Sequence, residues 1–219
     1  MHIEVLVEDA SGKALLNLLL PGILGEYGNP HTWRTHAYRG IGRIPKGLRG
    51  STDPSRRILL DRLPQILAGY GKSQQSSYEA VLILVDPDDR DCMAFKQELN
   101  RILDGCRPRP RALFRFAVEE MEAWLLGDRP ALLKEFPRAK PAVLNSYEQD
   151  SICGTWETLA DAVYPGGAAS LRAEGWAKIG AQKSNWALQI GRHMNPDVND
   201  SPSLRAFRRG ILKLCGIGQ

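Results

Sequence analysis

Carboxylates placed at the ends of apolar runs are the residues of this chain best suited to chemistry. In Ala80 to Asp89, AVLILVDPDD, the five apolar residues Val81 to Val85 lead directly into Asp86 and Asp88. Near the amino terminus, Ile3 to Val7 (IEVLV) stops at Glu8 and Asp9. Glu8, Asp86 and Asp88 brought to one edge would suit a hard cation such as Mg²⁺ or Mn²⁺. Such ions take a few carboxylates and leave their other positions to water and substrate phosphate. Asp and Pro after a strand are also ordinary turn chemistry. Two apolar strands that each end in paired acids, with a strongly basic stretch between them, form a combination that turn propensity does not require.

For these acids to meet, the runs before them must be neighbouring parallel strands whose carboxyl ends share a rim. A run apolar on both faces, such as Val81 to Val85, suits a buried central strand. The pattern predicts strand 2–8, helix 12–26 with Ser11 as its N-cap, a strand near 32–38, and a helix over about 54–69. Strand 80–86, helix 90–105 and strand 111–117 follow. This βα alternation predicts an α/β fold with a mostly parallel sheet flanked by helices, and a helical carboxyl-terminal region. A division into an α/β core, 1–128, and a helical subdomain packed on it, 129–219, follows. Val118 to Asp128 (VEEMEAWLLGD) reads as a helix opening at the end of the fourth strand, so Glu119, Glu120 or Glu122 could reach the same rim, although acids in a first turn also simply favour the helix dipole. Residues 170–194 read as one long helix, and Leu204 to Leu214 as a last one after DSPS.

The chain has 219 residues, 43% of them hydrophobic and 25% charged, enough for a well-buried core and far from a disordered composition. Its longest apolar stretch, Ala14 to Leu24, is interrupted by Asn17 and Pro21 and is too short to span a membrane. MHIEVLVED lacks the features of an export signal, so a cytoplasmic protein is expected. The four cysteines and four histidines show neither CxxC nor HExxH spacing, which argues against zinc and redox motifs. Net charge is +4 but uneven. Arg34, Arg39, Arg43, Lys46 and Arg49 lie in one basic stretch, and Arg107, Arg109, Arg111 and Arg115 in another. Cations flanking a carboxylate site are what a polyanionic substrate needs, and nucleic acid is the expected partner.

Taken in order, VEDASGKALLNLLLPGIL, LVDPDDRDC, AVEEMEAWLLGD, GTWETL and GRHMNPDVNDSPSLRAF resemble the Toprim-like family catalogued as domain of unknown function 4276. The resemblance covers nearly the whole chain. More remotely, the chain is similar to the Toprim domains of topoisomerases, primases and OLD-family nucleases. The resemblance implies that Glu8 is the Toprim glutamate and that Asp86 and Asp88 form the DxD pair. It also implies that Glu120 and Glu122 are the acids preceding the family's Ala-Trp, here Ala123 and Trp124. Asp9 stands where a glycine commonly follows the Toprim glutamate. Gly12 and Lys13 stand where relatives often carry an acid, which removes one potential ligand of a second metal.

From the resemblance, together with the acids, comes the expectation of a Mg²⁺- or Mn²⁺-dependent nuclease of a DNA-processing or antiphage defence module. Glu8, Asp86 and Asp88 would be catalytic and metal-binding, assisted by Glu120 or Glu122. Arg34, Arg39, Arg43, Lys46 and Arg49 would contact nucleic acid, with DNA favoured over RNA. The alternative is a non-catalytic nucleic-acid-binding or regulatory partner of an AAA or SMC-like ATPase, an association that the family resemblance implies.

Overall fold

A computed structural model of the chain describes residues 1–38, 58–74, 76–87, 90–118, 120–151 and 154–217. Four strands, β1 (His2–Val7), β2 (Thr32–Ala37), β3 (Glu79–Val85) and β4 (Ala112–Phe116), form one sheet in the order β2-β1-β3-β4. Every pairing is parallel. Helices α1 (Ala10–Leu24), α2 (Leu59–Ser73) and α3 (Cys92–Gly105) make the crossovers. The fold is therefore α/β with an all-parallel sheet flanked by helices, as the strand and helix periodicities predict.

The sheet separates two apolar clusters. Ile3, Val5, Val7, Leu82 and Leu84 point to the α1 face, while Leu6, Val81, Ile83 and Val85 point to the face covered by α2 and α3. β3 is thus buried on both sides, which explains its unbroken apolar sequence. β1 differs at Glu4, half-buried on the α2 face, where its carboxylate is within reach of His2, at 3.2 Å, and of His36 on β2. Those hydrogen bonds offset the cost of bringing a carboxylate under a helix.

Several boundaries differ from the sequence expectation. The N-cap of α1 is Asp9 rather than Ser11: its carboxylate accepts from the Gly12 amide at 2.8 Å and from the Ser11 hydroxyl at 2.9 Å. The helix expected from Val118 begins only at Glu122. Residues 170–194 form two helices, because Gly175 sits at φ +92°, outside the helical region and strained for a residue with a Cβ.

The carboxyl-terminal region comprises α4 (Glu122–Leu126), α5 (Arg129–Glu135), α6 (Pro141–Ser146), α7 (Thr155–Val163), α8 (Gly167–Ala173), α9 (Trp176–Gly191) and α10 (Pro202–Leu214). Its apolar residues merge with those of the sheet: Leu16 and Leu20 of α1 share a cluster with Trp124, Trp186, Ile190 and Phe207. Among the described residues, no helix is long and apolar enough to cross a membrane.

Candidate functional site

In the strand order β2-β1-β3-β4, the chain leaves β1 toward one side of the sheet and leaves β3 toward the other. The helices that follow, α1 and α3, lie on opposite faces, so a crevice opens between the carboxyl ends of β1 and β3. Ligands of open α/β sheets bind at such a reversal of strand order. Glu8 and Asp9 follow β1, and Asp86 follows β3. The register pairs Val7 with Leu84, so Glu8, Asp9 and Asp86 all follow within two residues of the last rung of the ladder.

Burial pushes the carboxyl of Asp86 well above the usual carboxylate range. Glu8 is the charge that raises it most, Lys183 opposes, and Glu122 and Asp9 raise it further. Asp86 nevertheless retains some accessible surface at the rim. Crowded carboxylates of this kind resist losing all their protons together.

Glu122, in the first turn of α4, is 1% exposed. Its carboxyl is pushed up to about 7, chiefly by burial; Lys183 pulls it down, while Glu120 and Asp9 add to the rise. Lys183, from the middle of α9, places its Nζ 3.1 Å from Glu122 Oε2 and 3.5 Å from Glu120 Oε1. Burial disfavours the ammonium charge, but Glu122, Glu120, Asp86 and Asp9 more than compensate and hold the lysine protonated above its ordinary range. Glu122 is raised despite its ion pair because burial outweighs the pull of the lysine, and Glu120 and Asp9 add to the rise.

Glu120 has a different role. Its Oε2 accepts from the Thr155 hydroxyl at 3.1 Å and the Trp156 amide at 3.0 Å, so it caps the amino terminus of α7. Of the two glutamates assigned to the site from the sequence, Glu122 is therefore the one whose charge bears on Asp86, and Glu120 fastens α7 while reaching Lys183.

Position is given to α4 by a polar lattice. Trp124 Nε1 donates to Ser203 Oγ at 2.8 Å, Asn199 Nδ2 donates to the Trp124 carbonyl at 2.8 Å, and the Asp200 amide donates to the Gly127 carbonyl at 2.8 Å. Asp128 caps α5 through the Ala131 amide at 3.0 Å and accepts the Asn195 amide at 2.8 Å. The segments AVEEMEAWLLGD, GTWETL and NPDVNDSPS, far apart in sequence, thus meet around the short helix that carries Glu122.

Asp88, Arg39, Arg43, Lys46 and Arg49 lie outside the described residues. Arg34 is exposed in the middle of β2, paired in register with Glu4 rather than placed at the carboxyl rim. Among the described residues, no group of three or more His, Cys, Asp or Glu side chains is arranged to hold a metal ion. Lys183 was not anticipated. A lysine within KIGAQKSNW carries no local signal of burial, and only the packing of α9 against α1 and α4 brings it to the acids.

The fold and this acidic crevice define an α/β protein with a candidate site at the strand-order reversal of a parallel sheet. The family model for a domain of unknown function, DUF4276, matches residues 7–212, and the chain belongs to that family. No curated protein matches the chain. No solved structure matches it.

Proposed function

We propose that the protein is a Toprim-like, divalent-metal-dependent nuclease whose site is the crevice between β1 and β3. The observation that carries this reading is the excess of carboxylates at that crevice, with Glu8, Asp9, Glu122 and one lysine all acting on Asp86. Their oxygen donors and surplus negative charge fit Mg²⁺ or Mn²⁺. Asp86 and Glu8 would hold the ion, with Asp88 completing the set. When bound, such an ion polarises a phosphoryl oxygen and lowers the pKa of a coordinated water. The protein's own contribution is to orient Glu8 and Asp86 on rigid strand ends. Lys183, within reach of both Glu122 and Glu120, offsets part of their charge.

A specific observation favours the alternative of a non-catalytic, nucleic-acid-binding partner of an ATPase. Lys183 already supplies a cation to these acids, and among the described residues no three potential ligands are arranged for a metal. Thermal melts in millimolar Mn²⁺ or Mg²⁺ separate the two readings. The nuclease reading expects metal to raise the melting temperature of the wild type, because binding to the native state stabilises it by mass action. It expects that rise to vanish in Asp86→Asn, together with metal-stimulated cleavage of single- or double-stranded DNA. Salt-sensitive DNA binding without metal stabilisation or cleavage would instead establish the binding partner.

A further inference from the structure

A second concavity, lined by none of Glu8, Asp9, Asp86, Glu122 or Lys183, lies along β4 at an edge of the sheet. It encloses about 500 Å³ between β4, α3 and α10, a size ordinary for a small-molecule site. Phe114, Phe116 and Val118 supply apolar wall. Four cations converge on it: Arg115 of β4, Lys96 of α3, and Arg209 and Lys213 of α10. Among the described residues, no carboxylate lines it. None of the four cations makes an ion pair among the described residues.

Arg115 is built into place. Its Nε donates to the Ala206 carbonyl at 3.1 Å and its Nη1 to the Phe114 carbonyl at 2.8 Å. The guanidinium lies across Gly210, where a Cβ would stand 2.0 Å from Nη2, so any larger residue there would displace it. Its Nη2 has no acceptor among the described residues. Ala206, Gly210 and Lys213 recur at helical spacing on the face of α10 turned to the cleft, while Leu204, Phe207 and Ile211 bury the other face. Burial and the neighbouring Arg209 both work against the charge on Arg115. Like charges gathered beside an apolar wall repel until an anion joins them, and a planar guanidinium matches phosphate oxygens in pairs.

We propose that this cleft binds a nucleoside phosphate, with the phosphate held by Arg115, Arg209 and Lys213 and the base against Phe116. A bare phosphate would leave most of the volume and all of the apolar wall unused. Phe116 is partly exposed and already stacked on Phe95, with ring centroids 5.4 Å apart, so its ring is held in place for a base. The ligand can be a free mononucleotide or the phosphorylated end of a strand, since both present the same chemistry. The site is separate from the acidic crevice and does not depend on its function.

Calorimetric titration of the full chain at low salt tests the proposal, using adenosine 5′-monophosphate, thymidine 5′-monophosphate, their nucleosides, inorganic phosphate and a 5′-phosphorylated dinucleotide. At least one nucleotide is expected to bind ten-fold or more tightly than both inorganic phosphate and its own nucleoside. Arg209→Ala combined with Lys213→Ala, both exposed positions, should weaken that binding at least ten-fold without lowering the melting temperature. Asp86→Asn and chelators should leave it unchanged. Comparable affinity for mononucleotide and dinucleotide identifies the free ligand, and preference for the dinucleotide identifies the strand end. No nucleotide binding at millimolar concentration, equal binding of inorganic phosphate, indifference to the double variant, or loss in Asp86→Asn would each overturn the assignment.

Discussion

Lys183 joins two glutamates that the chain places far from it in sequence, and it does so with only 16% of its side chain exposed. Removing one partner of a buried ion pair leaves the other uncompensated, at a cost of roughly 3–5 kcal/mol. Lys183→Met is therefore expected to destabilise the protein by about that amount in urea denaturation at neutral pH, and Lys183→Met combined with Glu122→Gln to recover a large part of it. A double variant no more stable than Lys183→Met would show that Glu122 is not the group the lysine neutralises. Glu4 provides a contrasting case. Burial raises its pKa, but hydrogen bonds and charge from His36 and His2 win and hold it below its ordinary value of 4.5. A carboxylate depressed in the folded state contributes stability that is present above the unfolded value and lost as pH falls through the folded one. Glu4→Gln should thus cost about 1 kcal/mol at pH 7, allowing for its partial exposure. The difference from wild type should disappear as the pH falls below the unfolded value of 4.5 and through the lower folded one. Parallel stability curves down to pH 3 would remove the attribution to Glu4.

Short elements depend on what holds their ends. Helix α4 has five residues and no side-chain N-cap, too short to be stable by itself, yet it carries Glu122 and the fully buried Trp124. Its stability comes from the segment before α10. Asn199 both donates to the Trp124 carbonyl and accepts from the Ser201 amide at 2.8 Å. Asn199→Ala is expected to cost roughly 2–3 kcal/mol, since it orphans two buried backbone groups. Ser203→Ala leaves the buried Trp124 Nε1 donor without its acceptor, and about 1–3 kcal/mol should be lost. Replacing Trp124 by Phe alongside Ser203→Ala should recover part of the serine effect. A double-mutant cycle with no coupling would mean that the indole bond does not hold α4.

At the scale of the molecule, the helices after β4 complete the core on one face of the sheet. Leu15, Leu16, Leu19 and Leu20 of α1 are buried in the cluster that contains Trp186, Ile190, Phe207 and Ile211. Sheet and carboxyl-terminal helices should accordingly unfold together. Tryptophan fluorescence, which includes the buried Trp124, Trp156 and Trp186, and far-ultraviolet circular dichroism should give coincident urea transitions. A chain ending at Asp128 exposes the apolar face of α1 and should fail to give a cooperative transition. A cooperative fragment would establish the α/β portion as independently stable.

The architecture was legible because it rests on local periodicity. Val81 to Val85, a short apolar run rich in β-branched residues, suits a strand buried on both faces, and alternating strands and helices favour parallel pairing. The positions of Glu8 and Asp86 at strand ends follow from the same pattern. Helix breaks were less legible: Gly175 stops a helix through its backbone angle, and a glycine inside a helical pattern does not announce whether it will adopt one. Capping by Asp9 rather than Ser11 was settled by which oxygen could reach the Gly12 amide. The strand order that opens a crevice between β1 and β3, and the choice of Glu122 over Glu120 as the glutamate acting on Asp86, emerged only in three dimensions. So did Lys183. Burial and charge at those positions depend on groups tens of residues away, and long-range packing leaves no periodic signal in the residues it brings together.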